Sequence, residues 1–288
     1  MNRSLKDYAL IILKGIGMGA VDVVPGVSGG TIALIVGIYE ELLDSIKSIN
    51  AHSLKLLVTG KIAAFWKAVN GNFLLALVSG IAISIFSLAK LITYLLETQP
   101  VLVWSFFFGL VLASILFVAK DIKTWDWKTV LSFLIGAVVA FYITVVTPTE
   151  TPDGLWFIFL CGAIAICAMI LPGISGSFVL VLLGKYNYIM EAVTRLDILI
   201  ILVFVCGAAI GITSFSRLLS YLLRRFHDIT LATLAGFMLG SLNKVWPWKI
   251  EVAGMEHNIL PDQLIWEATG LLILGFAIVY FLEKLSGK

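Results

Sequence analysis

Two stretches of this chain, Val24-Pro25-Gly26-Val27-Ser28-Gly29-Gly30-Thr31 and Leu171-Pro172-Gly173-Ile174-Ser175-Gly176-Ser177-Phe178, align Pro, Gly, Ser and Gly at a constant offset of 147, and each interrupts an apolar run. Proline has no amide hydrogen and the neighbouring glycines fit a helix poorly, so each stretch breaks a helix and leaves backbone groups unpaired. In hydrocarbon every unpaired group costs several kcal/mol. A chain that places two such breaks inside apolar segments must satisfy them with protein, water or a ligand.

The alignment continues through Gly37/Gly184 and Tyr39/Tyr186. At an offset of 127 it then takes in Gly80/Gly207, Lys90/Arg217, Tyr94/Tyr221, Gly109/Gly236 and Ser114/Ser241. Only 13% of residues are charged, against roughly 25% in a soluble domain, and apolar runs long enough to cross a bilayer recur from end to end. The expected fold is an all-α integral membrane protein of two inverted-topology repeats, each a re-entrant, broken helical hairpin plus three transmembrane helices. Repeat 1 covers 1–148, with a hairpin at 8–46, an amphipathic surface helix at 53–69 and spans at 73–96, 101–119 and 129–147. Repeat 2 covers 149–288, with a hairpin at 155–193 and spans at 198–223, 229–244 and 264–282. An N-terminal stretch that recurs in mid-chain and lacks an A-x-A-like site is expected to be retained rather than cleaved.

The inversion follows from parity and charge. A unit with three crossings flips its successor, provided each hairpin returns to its side of origin. That topology puts 15 of the 20 Lys and Arg on one face, whereas hairpins that crossed once would divide them 9 against 11. The positive-inside rule then makes both termini cytoplasmic, in a multi-pass protein of the inner membrane. The count does not separate a re-entrant hairpin from two short full crossings. Lys55, Lys61 and Lys67 among Leu56, Leu57, Ile62, Phe65 and Trp66 suggest a helix lying on the cytoplasmic surface.

After each break comes a helix start rich in small and hydroxyl residues: Ser28, Gly29, Gly30 and Thr31, then Ser175, Gly176 and Ser177. Free N–H groups at such ends attract anions, phosphate above all; the alternative is that the glycines only let the tips pack closely. Lys90 and Arg217 occupy equivalent places inside long apolar helices, where an ionisable group is a functional candidate unless it snorkels to the interface. Asp22 is the one carboxylate near a tip. It is the candidate for a coupling proton, or else caps the tip or pairs with a cation. Arg224, Arg225 and His227 read as headgroup anchors, and Glu40, Glu41 and Glu191 as solvated caps.

Other classes are weakly supported. Gly26-Val27-Ser28-Gly29 and Gly173-Ile174-Ser175-Gly176 match the G-x-S-G of serine nucleophiles, but His52, His227 and His257 fall in predicted loops and no lysine adjoins either serine. No H-E-x-x-H, Walker A lysine or metal-ligand cluster is present, so no cofactor or metal is expected. A net charge of +2 gives no field for nucleic acid. Cys161, Cys167 and Cys206 read as packing residues.

At Asp22-Val23-Val24-Pro25-Gly26-Val27-Ser28-Gly29-Gly30-Thr31 and Leu171-Pro172-Gly173-Ile174-Ser175-Gly176-Ser177 the chain resembles the polyprenyl-phosphate transporter family, over essentially its whole length. The resemblance implies a flippase that returns undecaprenyl phosphate, the carrier lipid of cell-wall and surface-glycan synthesis, from the outer to the inner leaflet. Ser177 stands where the first copy has Gly30, and Phe178 where it has Thr31, so the half-sites should be unequal. On this reading Ser28, Gly29, Gly30, Thr31, Ser175, Gly176 and Ser177 hold the phosphate, Lys90 and Arg217 neutralise it, and Pro25-Gly26 and Pro172-Gly173 make the breaks. The prenyl tail would leave sideways into membrane lipid. A carrier of a small soluble anion and a non-transporting lipid scaffold are the alternatives; self-association of the chain stays open.

Overall fold

The computed structural model describes residues 3–24, 27–146, 151–252 and 255–286. Pro25 and Gly26, the first predicted break, lie outside the described residues. Helix α1 (Leu5–Asp22) starts on a capping box in which Ser4 and Asp7 bond reciprocally. It is followed by α2 (Gly29–Ile35), α3 (Tyr39–Lys47), α4 (Ala51–Val58) and α5 (Ile62–Ala68), then by the long helices α6 (Gly71–Thr98), α7 (Pro100–Lys120) and α8 (Trp127–Val145). The second half runs α9 (Leu155–Ile170), α10 (Gly176–Leu182), α11 (Tyr186–Thr194), α12 (Ile198–Arg225), α13 (His227–Ser241) and α14 (Ile265–Ser286).

Five of these helices, α6, α7, α8, α12 and α14, are long and apolar enough to cross a membrane. The protein is a multi-pass membrane protein, mostly helical. The span predicted at 229–244 is α13, whose 15 residues rise about 22 Å against a hydrocarbon core of about 30 Å. It compensates by burial, since Leu231, Ala232, Leu234, Ala235 and Met238 join Phe107, Leu110, Val111 and Ala113 of α7 in the main core. By contrast α6, α8, α12 and α14 leave most of their apolar surface uncovered, as helices solvated by lipid do.

Helix order recurs in the second half, and so does packing. A side chain on Gly80 would fall on the carbonyl of Ile12, and one on its counterpart Gly207 on that of Phe159. In the same way Gly136 abuts Thr233 and Gly236 abuts Phe133, while Gly275 abuts Phe106 and Gly109 abuts Leu272. Small residues let the helix backbones touch, which is how helices associate where lipid removes any hydrophobic drive between them. Along α1 and α6 the contacts advance together, Gly15 on Leu77 and Gly19 on Ile81, so these two helices run parallel.

Two features depart from expectation. The surface helix at 53–69 is two helices, split where Gly60 takes φ +76 and the chain turns. The α13–α14 connection carries a two-stranded antiparallel ribbon, β1 (Lys249–Val252) and β2 (Met255–Asn258), an addition to the all-α reading. Its flanks are fixed by Trp246 and Trp248, whose indoles donate to the carbonyls of Ile259 and Gln263 at 2.9 Å each. The halves also differ in depth. Helices α2 and α3 lie within the main core, whereas α9 and α10 contribute Cys161, Ala165 and Leu180 to a small separate cluster.

Candidate functional site

Each break sets up a short helix by a different local device. Ser28, in extended conformation, caps α2 by accepting the Gly30 amide at 3.1 Å. Asp22, the last residue of α1, accepts the Gly29 amide at 2.6 Å. The start of α2 therefore does not offer the free amides that the sequence suggested: the carboxylate of Asp22 takes that of Gly29, and Ser28 takes those of Gly30 and Thr31 through its hydroxyl and its carbonyl oxygen. In the second half Ser175 makes no side-chain cap; its hydroxyl pairs with that of Ser177 at 2.8 Å. Gly173 adopts φ +84 and a side chain there would press on Met238 and Ser241 of α13, so the second break needs glycine for both reasons.

The start of α2 meets the second break. The hydroxyl of Ser28 donates to the carbonyl of Met169 at 2.9 Å, and the amide of Gly173 donates to the hydroxyl oxygen of Thr31 at 3.1 Å. A side chain on Gly30 would fall on the carbonyl of Ile170. Ile170 is also reached by a residue that sequence reasoning used only for register: the hydroxyl of Tyr39 donates to its carbonyl at 3.1 Å. The shared Tyr39/Tyr186 alignment was the signal available for it. Ser28, Thr31 and Ser175 are all buried. The carbonyls left unpaired at the end of α9 are thus satisfied by side chains from the first half, which is the physical requirement of a broken helix away from water.

Lys90 and Arg217 are exposed on the surface of the helix bundle and make no ion pair among the described residues. Each lies ten residues, about 15 Å, beyond the glycine that marks the helix register, Gly80 on Ile12 and Gly207 on Phe159. Carrying those registers forward sets Lys90 level with the end of α1 and Arg217 level with the end of α9. Both cations thus stand on the outer surface of the bundle at the level of those helix ends, and the structure does not bring them into contact with Ser28–Thr31 or Ser175–Ser177.

Other charges have different work. Arg224 is not a free headgroup anchor: it pairs with Asp44 at 2.5 Å, and Lys47 donates to Ser220 at 3.2 Å, which ties α3 to α12. Glu41 is bound by Arg3 at 2.6 Å and by Asn70 at 2.8 Å rather than solvated. No group of His, Cys, Asp or Glu among the described residues could hold a metal ion.

A family model described as VCA0040-like, undecaprenyl phosphate translocase-like, matches residues 18–259, which take in both breaks. The chain belongs to this family. Among curated relatives of the translocase-like family, the polyprenyl-phosphate transporter of Vibrio cholerae is 49% identical across 98% of both chains. The polyprenyl-phosphate transporter of Staphylococcus aureus is 30% identical across 96% of both. No solved structure matches. That relatives of this translocase-like chain are named as transporters fits the placement of its serines: the hydroxyl of Ser28 is spent on a carbonyl and that of Ser175 on a second hydroxyl, and among the described residues neither is paired with a base.

Proposed function

We propose that this protein moves polyprenyl phosphate from the outer to the inner leaflet of the cytoplasmic membrane, with the phosphate held where the start of α2 meets the second break. The observation that carries the reading is the direct bonding of the halves at that point, Ser28 to Met169 and Gly173 to Thr31. The names of the two relatives supply the lipid. Donors for the phosphate come from Ser175, Gly176 and Ser177 on one side and, once released from the partners they hold in this structure, from residues 28–31 on the other, and Lys90 and Arg217 neutralise it from the level of the helix ends. Backbone amides and cations together suit phosphate because it spreads its charge over several acceptor oxygens.

Asp22 competes for the same place. Its carboxylate holds the Gly29 amide that the phosphate needs, and two anions do not share one donor. Protonating Asp22 weakens its acceptance and frees the amide, which gives a route by which a proton accompanies the lipid. The two halves act as inverted repeats with both termini cytoplasmic: the charge asymmetry supports that orientation, and the parallel course of α1 and α6 supports hairpins that return to their side of origin. At the arginine-bearing end α3 packs along α12, while α11 has no packing of comparable extent on α6. Exchanging one contact for the other would alternate access to the site.

Liposomes containing only this protein and a labelled polyprenyl phosphate test the reading. Inward movement of the label is expected, without movement of a small soluble phosphate. A static label would leave a lipid-binding scaffold, and movement of soluble phosphate would leave an anion carrier. Arg217→Ala is expected to abolish transport while the protein remains folded; an unchanged rate in that variant would remove the charge from the mechanism.

A further inference from the structure

An apolar cavity of about 310 Å³ lies between α12 and α13. Phe215, Leu218 and Leu222 wall it on one side, Thr230 and Thr233 on the other, and Leu171 also lines it. The threonines do not make it polar. Their hydroxyls donate back to their own helix, Thr230 to Phe226 at 2.8 Å and Thr233 to Ile229 at 2.9 Å, so methyl groups face the space.

Its position is informative. Leu171 immediately precedes the Pro172-Gly173 break, and Leu218 immediately follows Arg217. The cavity therefore begins where the proposed phosphate site ends and follows the last turns of α12 toward Arg224 and Arg225. In the first half Val103 and Phe106 stand at the positions equivalent to Thr230 and Thr233, and Phe106 packs edge-on against Phe107 at 5.3 Å. A bulky aromatic pair occupies one half where the other has small residues and space.

We infer that this cavity holds the part of a prenyl chain nearest the phosphate, leaving the remainder of the chain in lipid. The inference deepens the proposed function and rests on it. An apolar cavity of about 150 Å³ accommodates benzene, so this one has room for about two five-carbon units. The lining is almost wholly apolar, which suits hydrocarbon rather than the phosphate of such a lipid. With its phosphate at the breaks and its chain running toward the arginine-bearing end of α12, the lipid lies as it would in the leaflet opposite that end. By the charge asymmetry this is the outer leaflet, the side from which transport is proposed to start.

The test uses the full chain in lipid nanodiscs and a prenyl phosphate of three five-carbon units with a photoreactive diazirine in the second unit. Covalent label is expected on residues 215–237, reduced at least tenfold by excess undecaprenyl phosphate. Phosphatidylglycerol with a diazirine in its acyl chain reports the lipid-facing background of α12, and its labelling of that segment is expected to be weaker and undiminished by excess undecaprenyl phosphate. Thr233→Phe copies the residue already present at 106 and fills the space; it should cut labelling at least fivefold, and Leu222→Trp serves if the first variant does not fold. Label confined to other segments, equal labelling by phosphatidylglycerol, or undiminished labelling in a folded filled variant would overturn the inference. Failure of the wild-type protein to flip polyprenyl phosphate in liposomes is a separate result, and it would sink the proposed function instead.

Discussion

The hydroxyl oxygen of Thr31 accepts the amide hydrogen of Gly173 at 3.1 Å, so the first turn of one half's short helix completes the broken backbone of the other. Thr31 is fully buried. Thr31→Val keeps the shape and removes the acceptor, leaving a buried amide unpaired at a cost of about 1–3 kcal/mol. A lower melting temperature in detergent is expected, and Thr31→Ser should recover most of it. Equal melting of the valine variant and the wild type would mean that this bond does not join the halves.

The approach of α2 to the end of α9 leaves no room at Gly30, where an added methyl group would fall on the carbonyl of Ile170. Gly30→Ala must push the halves apart, at about 1–3 kcal/mol for overpacking, and transport is expected to fall at least tenfold. Gly17→Ala is the comparison. Its methyl would make an ordinary 3.6 Å contact with Ile32, and flipping in liposomes should be close to wild type.

Asp22 bonds the Gly29 amide at 2.6 Å, and the two roles open to it separate by substitution. Asn can still accept that hydrogen bond but cannot carry a proton. If Asp22 couples transport to protons, Asp22→Asn will fold normally yet lose the dependence of flipping on an imposed pH gradient. If it only caps, the variant will keep that dependence and Asp22→Ala alone will melt lower.

Much of this arrangement was legible because it rests on residues that few other structures require. Pro with Gly in an apolar run forces a break, and Gly80, Gly109, Gly207 and Gly236 sit at the same register in both halves because bare backbone contact leaves no other choice. What stayed hidden was pairwise. Nothing in the spacing of Asp22 and Gly29 says whether an amide is left for an anion or taken by the carboxylate. Arg224 looked like one of two adjacent interfacial arginines, and only the fold brings Asp44, 180 positions away, within 2.5 Å of it. The ribbon after α13 was missed because Lys249–Val252 and Met255–Asn258 are four residues each, too short for an alternating pattern to stand out.

That ribbon offers a measurement by pH. Lys249 lies with its ammonium 4.2 Å from the centre of the Trp104 ring and 3.2 Å from Glu256. Burial lowers its pKa from 10.5 to about 8, against the attraction of Glu256 and with the repulsion of Lys244. A group whose pKa is depressed on folding binds fewer protons in the native state than in the unfolded one between those two values. Its burial therefore costs stability that is felt in full below about pH 8 and is relieved as pH rises toward 10.5. Lys249→Met removes the titrating group and retains apolar contact with Trp104, while Lys244 remains 2.8 Å from Glu256. Melting curves at pH 7, 8.5 and 10 should show the wild type gaining on the variant as pH rises, with the difference between them changing most between 8 and 10. A constant difference across that range would mean that Lys249 is solvated and that the ribbon does not cover Trp104.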